Sequence, residues 1–233
     1  VRKRFVRQKK NWYLKTEKVH FMEKYDEEKV MKKREIKLGV PSYITVESEE
    51  GSFIGEQNSS KFEKEDICVE ANENGEIWLT ADNSPVKTVK LRWNTPLERT
   101  SKILGGVWER TYGDAEWKGM SGTRFMPWYF LALNEGVVTG YGVKVRPSAM
   151  CFWEADTRGI TLVLDVRCGG TGVVLSGRKL LAAEVVAMQA DDCTSFEAAK
   201  AFCKCMCTDP IFPDFPVYGS NNWYYAYGDS SEK

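Results

Sequence analysis

The alternation from Ile160 to Arg167 constrains this chain more than any other stretch. Ile160, Leu162, Leu164 and Val166 point one way, and Thr161, Asp165 and Arg167 the other, which is the period of a strand with one buried face. The same pattern recurs at Ile44 and Val46, at Ile67, Val69 and Ala71, at Val89, Leu91 and Trp93, and along 137–145. Turn residues separate these runs: Asn74-Gly75, a dipeptide that favours a type I′ hairpin, and Asn134-Glu135-Gly136. Short strands at this spacing predict an all-β fold of antiparallel sheets packed as a sandwich.

A length of 233 residues suits one large domain, or one domain with an appendage. With 42% hydrophobic and 28% charged residues the chain can build a core. Lys and Arg total 33 against 33 Asp and Glu, a balance that argues against a dedicated nucleic-acid binder. The longest apolar run, Phe125 to Leu133, is broken by Pro127 and is too short for a membrane-spanning helix, which needs roughly 20 apolar residues. The opening residues do not read as a secretory leader. Seven cysteines, an odd number without framework spacing, fit a reducing compartment. The expected location is therefore cytoplasmic, with neither nucleic acid nor membrane as a partner.

The neutral total conceals a basic start. Residues 1–37 carry 14 Lys and Arg against 6 Asp and Glu, whereas Glu47–Glu76 holds ten acids and two lysines. The stretch Arg2 to Lys10 reads as a solvated tail that offsets an acidic sheet face, with contact to phosphate as the alternative.

One helix is predicted near the end. Thr194 and Glu197 form a capping box. Phe196, Ala199, Cys203 and Met206 follow at helical spacing, and Asp209-Pro210 stops the run. A second helix within 19–37 has poor apolar spacing. Pro210, Pro213 and Pro216 recur every third residue, a stiff extended connector leading into an aromatic-rich segment at 217–228. The chain thus divides into a basic extension at 1–38, a sandwich at 39–209 and a terminal segment at 210–233.

Cys193, Cys203, Cys205 and Cys207 invite a zinc reading, but three of them lie within the predicted helix, where Cys205 faces away from the other two. They read as packed thiols, so neither a metal nor a cofactor is expected. His20 is the only histidine, which excludes a Ser-His-Asp or Cys-His arrangement. Trp108 to Phe130 is richer. It holds Trp108, Tyr112, Trp117, Phe125, Trp128, Tyr129 and Phe130 among Glu109, Arg110, Asp114, Glu116 and Arg124. Rings that stack on the C–H face of a pyranose, beside charged groups that bond its hydroxyls, make a sugar site. The same residues also suit a sandwich core with a surface loop.

Three segments in order carry a resemblance: Trp108-Glu109-Arg110-Thr111-Tyr112-Gly113-Asp114-Ala115-Glu116-Trp117, Met126-Pro127-Trp128-Tyr129-Phe130, and Pro216-Val217-Tyr218-Gly219-Ser220-Asn221-Asn222-Trp223-Tyr224. Together they resemble the melibiase-type alpha-galactosidases of glycoside hydrolase clan D over about residues 90–228. The resemblance implies an antiparallel, galactose-mutarotase-like β-supersandwich over 39–209. Val217–Tyr224 would then be the first strand of a truncated (β/α)8 barrel. It further implies retaining hydrolysis of terminal α-galactosides by two aspartates on later barrel strands, so no catalytic residue is expected in this chain. Trp108, Asp114, Trp117, Asn222 and Trp223 are the substrate-binding candidates that follow, with a galactoside and the missing barrel domain as partners. Two other readings stand beside this one: a free-standing carbohydrate-binding sandwich, and a scaffold whose basic tail holds an anionic partner.

Overall fold

The computed structural model describes residues 31–106, 116–219, 221 and 223–229. In chain order the strands are β1 (Lys32–Glu35), β2 (Tyr43–Ser48), β3 (Ser52–Ile54), β4 (Lys61–Lys64), β5 (Ile67–Ala71), β6 (Glu76–Ala81), β7 (Val86–Trp93) and β8 (Lys102–Gly105). They continue with β9 (Lys118–Gly119), β10 (Met126–Pro127), β11 (Tyr129–Asn134), β12 (Val137–Val143), β13 (Met150–Asp156), β14 (Gly159–Asp165) and β15 (Leu180–Asp191). Two helices follow, α1 (Ser195–Met206) and α2 (Trp223–Ala226).

The strands form two antiparallel sheets. One has six strands in the order β10-β13-β14-β7-β2-β3. The other has nine, in the order β4-β5-β6-β15-β12-β11-β8-β9, with β1 pairing on β15. The inward faces come from the alternation in the sequence: Ile44, Val46, Val89, Leu91, Leu162 and Leu164 from the smaller sheet meet Val69, Leu79, Phe130 and Val143 from the larger in one core. Trp153, Phe130 and Tyr141 interlock at its centre, Phe130 stacked on Tyr141 at 5.0 Å and edge-on to Trp153 at 5.9 Å.

The type I′ geometry expected at Asn74-Gly75 is found at the other predicted turn. At 72–76 only Gly75 of the Asn74-Gly75 pair takes a left-handed conformation (φ 84°). Gly75 N–H bonds the Asn72 carbonyl, and the Asn72 side chain accepts from the amides of Asn74 and Glu76, so this loop is not the type I′ turn the dipeptide suggested. That geometry appears instead at Glu135-Gly136, where both residues have positive φ (48° and 82°) and Asn134 pairs directly with Val137.

Lys32–Glu35 belongs to the larger sheet rather than to a tail or helix, in register with Met188–Asp191. All four residues are exposed, so no apolar alternation marked them in the sequence. The expected helix is α1, with Thr194 as N-cap and both bonds of the capping box formed. Its buried face differs from the expected stripe: Ala198, Ala201 and Phe202 are buried, whereas Phe196 is 71% exposed. Phe202 lies over Gly140 and Gly142 of β12, where an added Cβ would come within 2.7 and 3.0 Å of its ring. With Leu131, Val138, Met188 and Ala190 it forms a second core on the outer side of the larger sheet.

Beyond α1, residues 209–219 carry no strand or helix and are exposed throughout. Among the described residues of Val217–Tyr224 the expected strand is not formed. Trp223 N–H is instead capped by the Asn221 side chain at 2.8 Å, and Trp223–Ala226 makes one helical turn. An Asn side chain that can bond the backbone two residues ahead favours this local closure over an extended run without a neighbour to pair with.

Candidate functional site

Of the five predicted sugar-binding residues, Trp108, Asp114 and Asn222 lie outside the described residues. Trp117 is half-buried against the second core, in the company of Tyr129, Leu131 and Phe202. Trp223 is 55% exposed, its ring edge-on to Tyr227 at 5.6 Å. Arg124 is also engaged locally: its guanidinium donates to the carbonyls of Ile103 and Gly105 at 3.1 and 3.2 Å. Burial lowers its pKa.

The same stretch contains a corner. Met126-Pro127 lies in the six-stranded sheet and Tyr129 opens β11 in the nine-stranded one, so the chain changes sheet at the single residue Trp128. Trp128 has φ 61°, a conformation that is a genuine outlier for a bulky residue and costs roughly 1–3 kcal/mol. Three hydrogen bonds hold it: its N–H to the Cys151 carbonyl at 3.0 Å, and its own carbonyl from Val143 N–H at 3.1 Å and the Trp153 indole at 3.2 Å. The Trp128 side chain is 44% exposed. Nearby, Phe125 stands edge-on to Phe152 at 5.3 Å.

Sequence reasoning proposed no site residue on the outer face of the smaller sheet. Tyr43, Thr45, Lys90, Arg92, Glu154 and Thr161 line a shallow depression there of about 960 Å³. Strand register sets them in two rows, Phe152–Val163–Lys90–Thr45–Ile54 and Glu154–Thr161–Arg92–Tyr43. Arg92 is fixed in place, donating to Asp156 at 2.8 Å and to the Thr161 hydroxyl at 3.1 Å. Burial pushes the Asp156 carboxyl up, but the Arg92 guanidinium and the amides of Arg158 and Gly159 outweigh it and hold the group below the ordinary range. The only sequence signal for this face was the polar half of each alternating run.

Among the described residues no three of His, Cys, Asp and Glu come together as a metal site. Cys203 is exposed, whereas Cys205 is half-buried with its sulfur 3.6 Å from that of Met188, so the two lie on different sides of α1. None of the seven cysteines is in a disulfide. Among the described residues no helix is long and apolar enough to cross a membrane. No family model, curated protein or solved structure matches this chain.

Proposed function

We propose that the chain is the N-terminal β-supersandwich of an alpha-galactosidase-like glycoside hydrolase. In this reading the parent enzyme cleaves terminal α-galactosides with retention, and its two reactive aspartates lie on a barrel outside these 233 residues. The observation that carries the reading is the condition of the segment after α1. Ile211, Phe212, Phe215, Val217 and Tyr218 are each more than 70% exposed, and Tyr224 is 85% exposed, which leaves this run of rings and aliphatic side chains to pack against a second body. The two large antiparallel sheets support the same reading. The seven free thiols support a reducing, cytoplasmic setting.

Sequencing the gene past Lys233 and expressing the extended chain tests this. A following barrel with a Lys-x-Asp strand is expected. The extended protein should hydrolyse p-nitrophenyl α-galactoside with retention, and lose that activity when the Asp is changed to Asn. The 233-residue protein alone should show no turnover. A reading frame that encodes no barrel, or turnover by the short chain, overturns the proposal; the former leaves the free-standing carbohydrate-binding sandwich as the better reading.

A further inference from the structure

The depression on the outer face of the six-stranded sheet has an uneven pattern of hydrogen-bond satisfaction. Arg92, Asp156 and Thr161 bond one another. By contrast, the Lys90 ammonium, the Glu154 carboxylate, the Tyr43 hydroxyl and the Asn94 side-chain amide have no hydrogen bond or ion pair among the described residues. Lys90 and Glu154 have opposite charges on one face yet do not meet. They stand in different cross-strand rows with β14 between them; two strand spacings across the sheet and two residues along it put their backbones roughly 11–12 Å apart. Thr161, which is buried, lies in the floor of the depression between them.

Charge on the lining is nearly balanced: Lys90, Arg92 and Arg158 against Glu154 and Asp156, three cations less two anions. Such a surface has no strong preference for an ion of either sign. What it offers is a set of separated donors and acceptors, together with the Tyr43 ring and the Ile54 and Pro96 side chains. It is open along the sheet rather than enclosed. We propose that this face binds a neutral oligosaccharide lying across β2, β7, β14 and β13. The sugar hydroxyls bridge Lys90 to Glu154, and a C–H face packs on Tyr43. This site does not depend on the clan D reading, and none of its lining residues belongs to the three segments that carry that resemblance.

Amide chemical-shift mapping of the 233-residue protein tests the proposal. The probes are stachyose, maltohexaose, cellohexaose, xylohexaose and mannohexaose, with a heparin hexasaccharide as the anionic comparison. At least one neutral sugar is expected to shift the amides of Tyr43, Lys90, Arg92 and Glu154, with affinity that holds as salt rises from about 0.05 to 1 M, since a neutral ligand has no charge to screen. Lys90→Met and Glu154→Met should each weaken it by about tenfold, the loss of one ligand hydrogen bond. Glu63→Gln, on β4 of the other sheet, should leave it unchanged. Lys90 is exposed and Glu154 half-buried, so folding of each variant is checked by an unchanged melting temperature. The proposal is overturned if no neutral sugar binds, if the two variants bind as tightly as the parent, or if heparin alone shifts these amides and is released by salt.

Discussion

The indole N–H of Trp153 donates to the carbonyl of Trp128 at 3.2 Å, so a fully buried ring of the smaller sheet holds the residue at which the chain leaves that sheet. The bond turns a costly backbone conformation into a fixed point. Trp128→Gly should be more stable than Trp128→Ala by about 1 kcal/mol, because glycine takes φ 61° without strain and alanine does not. Trp153→Phe should cost about 1–2 kcal/mol through the lost hydrogen bond and imperfect filling. Urea melts of the three variants check both expectations.

Two phenylalanines of α1 separate the two possible faces of that helix. Phe202→Ala should cost about 3–5 kcal/mol, the range for a buried aromatic ring. Phe196→Ala should stay within about 0.5 kcal/mol, as expected of an exposed side chain. Gly140→Ala should cost about 1–3 kcal/mol, because the new methyl meets the Phe202 ring and Leu131. Equal losses for the two phenylalanines would return the helix to the face expected from its sequence.

Asp66 caps the loop before β7. It accepts from the Ser84 hydroxyl and from the amides of Asn83 and Ser84, and these bonds, the hydroxyl first, hold its carboxyl down to about 2 against an ordinary 3.8. A carboxyl depressed on folding stabilises the native state fully above its unfolded value and ceases to do so as pH falls through its folded value. The melting temperature of the parent should therefore exceed that of Asp66→Asn at neutral pH. The gap should narrow between pH 4 and pH 2.

Thiol labelling should sort the cysteines by environment. Cys168 and Cys203 are exposed and should react with iodoacetamide in the native protein. Burial pushes the Cys151 thiol up to about 12, and its hydrogen bond to the Ala149 carbonyl leaves no thiolate to attack. Cys151 should label only after denaturant is added, as read by peptide mass mapping.

The strands with one buried face were legible because burial imposes a period of two on residues such as Ile160, Leu162 and Leu164. Lys32–Glu35 was not, since a strand exposed at every side chain leaves no such trace. The capping box located α1, but Phe196 and Phe202 look alike in sequence, and only the glycines of β12 decide which one is covered. Asn74-Gly75 and Glu135-Gly136 show that a dipeptide preference yields to the length of loop the flanking strands leave. For the candidate sites, Trp117 was conspicuous by its type, and it lies half-buried against the second core. Tyr43, Lys90, Arg92 and Glu154 come from positions over a hundred residues apart and were inconspicuous, because only sheet order makes them neighbours.

The place of β15 bears on how the protein is made. This strand lies between β6 and β12, although it is the last of the described strands to be translated. Until residues 180–191 have left the ribosome, the larger sheet exists as two separate pieces, β4-β5-β6 and β12-β11-β8-β9, each with a raw edge towards the gap, and β1 has no partner strand. The nascent chain is then most open to wrong pairing, and it closes only when one late segment is inserted between both halves.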